Sequence, residues 1–283
     1  MRRLLPAVLA AVLLALASPA LARESWTAGL PPNCSRFELP AECVDQVATA
    51  LQTHVHELQC SHNAIFGVAY LRITQAIARA IREGRFMSAQ YIADFDVAFA
   101  REYGRNWDAW ARGRRDEAAP AWRAAFDNAH AERVNGMGNL NLAINAHIGR
   151  DMAFVLERVG LSPEPERKAD QDRVNPVLLA ATEPLINELA AKYDDTIDDA
   201  NPPGSGDDTA LYQYIAGLRE RAWRLAQELD SADSEPVRRA AIRARIEAEA
   251  STSALLIAST SAYLPGTGQP AARDAYCAAR GPH

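Results

Sequence analysis

The sequence has few aromatic residues, no excess of positive charge and no long stretch in which polar and apolar residues alternate. Aromatic residues make up 7% of the 283 residues and hydrophobic residues 48%, so most of the apolar content is aliphatic. The chain has 30 Lys and Arg against 36 Asp and Glu, and its net charge of −6 disfavours nucleic acid as a partner. The apolar content excludes a disordered chain, and the lack of alternation argues against β-structure.

Common catalytic motifs are also missing. The chain has no Gly-x-Ser-x-Gly motif and no phosphate-binding P-loop. The glycines in Gly136-Met137-Gly138 follow a predicted helix rather than a strand, so they do not form a dinucleotide-binding turn. The sequence therefore does not support a serine hydrolase, a P-loop NTPase or a dinucleotide-dependent oxidoreductase.

The N-terminus has the pattern of a secretory signal peptide. Arg2 and Arg3 are followed by an apolar run from Leu4 to Ala17 and by the small-residue cleavage motif Ala20-Leu21-Ala22. The apolar run is shorter than the roughly 20 residues that span a bilayer. We predict that residues 1–22 are removed on export, that no integral membrane segment remains, and that the protein is secreted or periplasmic.

The chain contains four cysteines, an even number that suits disulfide formation in an oxidising compartment. Three pairings are possible. We favour Cys34–Cys43, which closes a short loop, together with Cys60–Cys277, which ties the C-terminal tail to the body of the protein. The second pair would close a loop of more than 200 residues and contribute about 5 kcal/mol by restricting the unfolded chain.

Apolar residues spaced three and four apart recur along the chain, which is the period of an α-helix. One predicted helix, residues 140–159, is apolar on all sides in its first part and ends at Gly160, so it should be buried. We predict an all-α fold: a single domain over residues 23–283, with about eight helices around this central helix. The segments 23–42 and 262–283 are expected to be irregular.

Ionisable side chains on four predicted helices fall on faces that point to the core. They are His62, Asp96, His130, and the pair His147 and Asp151, which stand four residues apart on the central helix. Helical bundles build metal sites from such converging imidazoles and carboxylates. We predict that zinc or another first-row divalent metal is bound by the set His62, Asp96, His147 and Asp151.

In this hypothesis His130 or Asp94 would act as a general acid–base group beside the metal. The alternative reading of the same residues is structural. A His and an Asp one helical turn apart often hydrogen-bond each other, and Arg150 can neutralise a nearby carboxylate. The asparagines of the central helix, Asn141 and Asn145, lie nearly opposite His147 and are expected to bind neighbouring backbone groups.

Several segments carry a family resemblance: Ala64 to Thr74, Phe95 to Ala100, Asn145 to Asp151, and Asp170 with Val174-Asn175. In these segments, which lie between about residues 60 and 200, the chain resembles the bacterial family of unknown function numbered 5995. The resemblance implies a helical domain without an assigned activity. Its members carry histidines where this chain has Arg150 and Lys168, so any metal site built on those histidines would be reduced here.

The pair His147-x-x-x-Asp151 on a buried helix is also similar to the helical zinc phospholipase C and P1 nuclease group, whose members are exported. That similarity implies hydrolysis of a phosphoester by a metal-bound water. We therefore consider two functions: an exported metal-dependent phosphoester hydrolase, and a non-catalytic helical module. The module would bind an apolar small molecule or an envelope partner, with the His/Asp cluster as part of its packing.

Overall fold

A computed structural model describes residues 25–197 and 207–281, so the predicted signal peptide lies outside the described residues. The described part is helical and contains no β-strand, only an isolated bridge between Val134 and Ala262. This confirms the predicted all-α fold. The α-helices are α1 Pro40–Leu58, α2 Ala64–Arg82, α3 Ala89–Ala111, α4 Pro120–His130, α5 Gly136–Ile144, α6 Met152–Val159, α7 Glu164–Lys192, α8 Asp207–Ser231, α9 Pro236–Thr260 and α10 Gln269–Arg280.

Local signals in the sequence explain several helix ends. Ser88 caps α3 by accepting a hydrogen bond from the backbone N–H of Tyr91 at 3.2 Å. Asn135 caps α5 through the N–H of Gly138 at 2.8 Å, so this helix begins at Gly136 rather than near Asn139. Gly160, with φ of 84°, ends α6 in a conformation that glycine adopts without steric cost.

The predicted central helix is present and is longer than expected. A π-helical segment, Asn145–Asp151, joins α5 to α6, so the chain is helical from Gly136 to Val159. The π segment contacts α3, α4, α8 and α9, which surround it. It coincides with Asn145 to Asp151, one of the segments that carry the family resemblance, and π-helical turns inside α-helices are frequently found at functional sites.

Two groups of apolar side chains form the core of the described residues. The larger group joins α1, α2, α3, α4, α5 and α7, with Trp122 and Tyr103 among its most buried members. The smaller group packs α6 against α8 and α9, with Trp223 and Leu229 buried between them. The π segment lies between α5 of the first group and α6 of the second, and six of its seven residues are buried, with Ile148 partly exposed.

Both favoured disulfides are present in the structure, Cys34–Cys43 and Cys60–Cys277. The tail expected to be irregular, residues 262–283, instead contains α10, which carries Cys277. The sequence prediction is wrong here because α10 is short and mostly exposed, with Arg273 and Cys277 as its buried residues, so it shows little helical periodicity of apolar residues. At the other end, α1 begins at Pro40, within the segment 23–42 that was expected to be irregular.

Among the described helices, α2 is long and apolar enough by composition to cross a membrane. We did not expect any segment after the signal peptide to meet that criterion. Within the fold, 78% of this apolar stretch is buried against the other helices. The length and composition of α2 are therefore accounted for by its place in the core.

Candidate functional site

A cavity of about 110 Å³ lies beside the π segment, between α2, α3, α5, α7 and α8. Most of its lining is aliphatic or aromatic. The polar or charged lining residues are Tyr70, Asp96, His147, Thr182 and Arg219. Ile73, Leu211 and Ile215 are only partly buried and mark the outer end of the cavity, between α2 and the start of α8.

Asp96 is a buried carboxyl group on α3, 7% exposed, and lines this cavity. Its Oδ2 has no hydrogen-bond partner among the described residues. Burial raises the pKa of Asp96 from 3.8 to about 8, because the ionised form loses its hydration. At neutral pH the protonated form therefore predominates, and the group can donate a hydrogen bond.

His147 lies in the π segment and packs among aromatic rings. Its ring stacks on the ring of Phe99, with the two centroids 3.4 Å apart. The rings of Tyr70 and His147 meet edge to face, with their centroids 4.6 Å apart. Among the described residues neither ring nitrogen has a hydrogen-bond partner, and the 3.6 Å from Nδ1 to Asp151 Oδ2 is too long for a hydrogen bond. Burial lowers the pKa of His147, outweighing the attraction of Asp151, so the imidazole is neutral.

Tyr70 is the third cavity residue with unused hydrogen-bonding capacity. Its hydroxyl group is buried and has no partner among the described residues, and burial raises its pKa. The other two polar lining residues are fully engaged with protein groups. Thr182 donates to the carbonyl of Leu178 at 2.9 Å, and Arg219 donates to Gln171 and Asn175.

Asp151 faces away from this cavity into a polar network. Its Oδ2 accepts a hydrogen bond from Nε1 of Trp122 at 2.6 Å, and its Oδ1 accepts one from Arg150. Arg150 also pairs with Glu247, with nitrogen to oxygen distances of 2.9 and 2.5 Å. The charge of Asp151 is therefore already compensated by protein groups, and a guanidinium stands where a metal ion would bind this carboxylate.

His62 belongs to a different part of the molecule. It lies in the loop between α1 and α2, with its Nε2 3.2 Å from Oδ1 of Asp274 on α10 and its Nδ1 3.4 Å from the amide nitrogen of Asn139. Burial, followed by the charge of Arg273, lowers the pKa of His62. His62, Glu132 and Asp274 each place one ligand atom within 4.8 Å of the others, so this triad is a possible metal-binding group.

The predicted general acid–base residues do not lie at the central cavity. Asp94 accepts hydrogen bonds from the backbone N–H of Cys34 at 2.7 Å and from Gln90, so it ties α3 to the N-terminal loop. His130 is exposed at the end of α4, with its ring against Trp110. Helical periodicity misplaced His130 because α4 ends there and its last turn reaches the surface.

The predicted metal ligands are thus divided among three environments. Asp96 and His147 share the central cavity, Asp151 belongs to the Arg150 network, and His62 belongs to the triad with Glu132 and Asp274. As predicted, Asn145 donates to the backbone carbonyl of Ala250 at 2.8 Å, whereas Oδ1 of Asn141 has no hydrogen-bond partner among the described residues.

Sequence reasoning missed Tyr70, Glu132 and Asp274. Tyr70 stood on the apolar stripe of α2 and looked like an ordinary core residue. Glu132 follows the end of α4, and Asp274 lies in the tail that we expected to be irregular, so no periodic pattern marked either of them. The available signal for Asp274 was the predicted disulfide, which brings Cys277 and its neighbours close to Cys60 and therefore to His62.

Comparison with known proteins identifies the class to which this helical domain belongs. The family model for the family of unknown function DUF5995 matches residues 44–260. The chain therefore belongs to this family, as its sequence segments indicated. No curated protein and no solved structure matches the chain, so the similarity to zinc phospholipase C and P1 nuclease is not confirmed.

Proposed function

We propose that this protein binds a small, uncharged and largely apolar molecule in the central cavity. The observation that carries the proposal is an apolar cavity in which Tyr70, Asp96 and His147 have buried polar atoms without protein partners. Buried polar groups are almost always hydrogen-bonded, and binding sites typically combine an apolar lining with a few polar groups. A bound molecule would supply the missing partner.

The size of the cavity limits the part of the ligand that it encloses. An engineered apolar cavity of about 150 Å³ in another protein binds benzene. The volume of about 110 Å³ here suits a buried group of similar or slightly smaller size. The partly exposed residues Ile73, Leu211 and Ile215 allow a longer apolar molecule to extend outward from this end.

The charge state of the lining favours a neutral ligand. Asp96 is protonated at neutral pH, His147 is neutral, and the one cation in the lining, Arg219, is engaged with Gln171 and Asn175. An anion would find no free positive charge, and a cation would find no carboxylate in its ionised form. A hydroxyl or carbonyl group can accept from Asp96 or Tyr70, and a hydroxyl can donate to His147.

The phosphoester hydrolase hypothesis receives less support from this geometry. Of its four predicted ligands, only Asp96 and His147 line one cavity, and Asp96 is protonated there. A metal-bound phosphoester would also place negative charge in an apolar cavity without a free cation, which is costly. A metal-dependent activity would have to use the separate triad of His62, Glu132 and Asp274.

Binding can be tested with three probes of similar size and different polarity: benzene, phenol and benzoate. We expect benzene and phenol to raise the melting temperature of the protein, and we expect benzoate to have no effect. Phenol should bind more tightly than benzene because its hydroxyl reaches the free polar groups. No shift with benzene and phenol, together with no binding by ligand-observed NMR, would refute the proposal.

Two variants locate the binding event. Ala69 lines the cavity, and Ala69→Phe should fill it and abolish the binding of both neutral probes. Tyr70→Phe keeps the cavity and removes one hydroxyl group, so it should weaken the binding of phenol more than the binding of benzene. If Ala69→Phe fails to fold, the ratio of the affinities for phenol and benzene in Tyr70→Phe still decides whether the probes bind in the central cavity.

We also propose that the protein is exported. The two disulfides support this proposal, since disulfides persist mainly in oxidising compartments. Expression in a bacterial host followed by mass spectrometry of the periplasmic and culture fractions tests it. We expect a mature N-terminus at Arg23, and a chain retained in the cytoplasm with Met1 intact would contradict the proposal.

A further inference from the structure

The triad of His62, Glu132 and Asp274 lies at the junction of three chain segments that are distant in sequence. His62 precedes α2, Glu132 follows α4, and Asp274 lies on α10. The disulfide Cys60–Cys277 crosses this junction two residues before His62 and three residues after Asp274. A covalent link so close to two of the three side chains fixes their relative position before any ligand binds.

We propose that His62, Glu132 and Asp274 bind a divalent first-row metal ion such as Zn²⁺. Imidazole nitrogen together with carboxylate oxygen is a common donor set for zinc. The three ligand atoms lie within 4.8 Å of one another, and Nε2 of His62 is 3.2 Å from Oδ1 of Asp274. Metal–ligand bonds of about 2.0 to 2.2 Å in a tetrahedral site place the ligand atoms about 3.3 Å from one another. The two ligand atoms of the triad that lie farthest apart, at up to 4.8 Å, must therefore approach each other by about 1.5 Å or less.

Glu132 can make that adjustment at little cost. Its side chain is exposed and makes no hydrogen bond or ion pair with the other described residues. Asp274 is half-buried, whereas His62 is 3% exposed. The site thus has a fixed imidazole on its inner side and a freely placed carboxylate on its outer side, from which an ion can enter.

Two buried residues that contact the triad carry polar atoms without hydrogen-bond partners in the described part of the chain. Asn139, 4% exposed, faces Nδ1 of His62 at 3.4 Å, and its own Oδ1 is unpartnered. Arg273, also 4% exposed, lies 3.1 Å from Asp274, and its Nη2 is unpartnered. A metal ion with three protein ligands holds water or another small ligand in its fourth position. An acceptor and a donor are therefore free beside the site to bind that fourth ligand.

The charge balance of the site also favours a cation. The two carboxylates carry two negative charges, and Arg273, the cation that contacts the triad among the described residues, offsets one of them. The remaining negative charge and the neutral imidazole leave the group suited to a divalent ion. This site is separate from the central cavity, so the proposal stands independently of the apolar ligand proposed above.

The test uses the full mature chain with intact disulfides and without a polyhistidine tag, and ZnCl₂ as the probe. Isothermal titration and metal analysis after dialysis should give one Zn²⁺ per chain. Glu132→Gln and Asp274→Asn should each weaken zinc binding about tenfold or more, while the fold is retained because both side chains reach solvent. Glu235→Gln, a change at an exposed carboxylate elsewhere, should leave the affinity unchanged.

Three results would overturn the proposal. The first is no stoichiometric zinc in the wild-type protein, and the second is equal affinity in wild type and the Glu132→Gln, Asp274→Asn double variant. The third is zinc that is lost in Asp96→Asn but kept in Asp274→Asn, which would place the ion in the central cavity. Neither of the first two results bears on whether benzene or phenol binds, so the two proposals can fail separately.

Discussion

The buried carboxyl group of Asp96 predicts a pH dependence of stability with a definite sign. Its pKa is about 8 in the folded protein and 3.8 in the unfolded chain. Between these values the folded state holds a proton that the unfolded state releases, so the free energy of unfolding falls as the pH rises. The stabilising contribution of this protonation is fully present below pH 3.8 and is lost as the pH rises through 8.

A comparison of the wild type with Asp96→Asn between pH 6.5 and 8 isolates this effect from the buried histidines, which both proteins share. Burial lowers the pKa of His54 to about 3 and also lowers the pKa of His62 and His147. In the unfolded chain these histidines are half protonated near pH 6.5, so between pH 6.5 and 8 they raise the free energy of unfolding, in the opposite sense to Asp96. Integrating the proton uptake of Asp96 from pH 6.5 to 8 gives a loss of about 1.6 kcal/mol in the free energy of unfolding from this group alone.

We expect Asp96→Asn to remove this loss. Urea denaturation at pH 6.5, 7, 7.5 and 8 measures the free energy of unfolding of both proteins. Over this range the free energy of unfolding of the wild type should fall by about 1.6 kcal/mol relative to that of the variant. Asp116→Asn is the matched control, because its side chain is fully exposed and should keep the wild-type slope. Equal slopes in wild type and Asp96→Asn would refute the assignment of a raised pKa to this group.

Further predictions concern stability and use chemical denaturation as the assay. Tyr70→Phe removes a buried hydroxyl that has no partner among the described residues, and it should stabilise the protein by about 1 kcal/mol. Tyr103→Phe breaks the 2.8 Å hydrogen bond to His54 and should destabilise the protein by about 1 kcal/mol. A change of stability with the same sign in both variants would contradict this reasoning. Ser88→Ala should cost about 1 kcal/mol through loss of the α3 cap, while Ser88→Thr should cost little. The double change Cys60→Ala, Cys277→Ala opens a loop with a sequence separation of 217 and should cost up to about 5 kcal/mol, so a loss below about 1 kcal/mol would show that the disulfide contributes little.

The fold could be predicted from local information because its helices repeat apolar residues at helical spacing. The central helix was identified from apolar residues on all sides, and the structure encloses it between α3, α4, α8 and α9. The π-helical segment could not be predicted, because a change from i+4 to i+5 hydrogen bonding leaves no mark on composition or spacing. It is set by the packing of the surrounding helices.

The grouping of the site residues was only partly predictable. A helical stripe indicates which side of a helix faces the core, and this placed Asp96 and His147 correctly at a common interior surface. It does not indicate which of several interior positions a side chain reaches, and Asp151, one helical turn from His147, turns into a different network. His62 was assigned to the core correctly, but its neighbours Glu132 and Asp274 come from a turn and from a short terminal helix that have no periodic pattern.

The order in which the cysteines leave the ribosome has a consequence for maturation of this protein. Cys34 and Cys43 can join as soon as both are in an oxidising environment, while Cys60 must wait for a partner that is made 217 positions later. During that interval Cys60 can attack the existing bond and form a wrong pair with Cys43 or Cys34. Efficient production of the native protein should therefore depend on a thiol–disulfide isomerase more than on an oxidase alone.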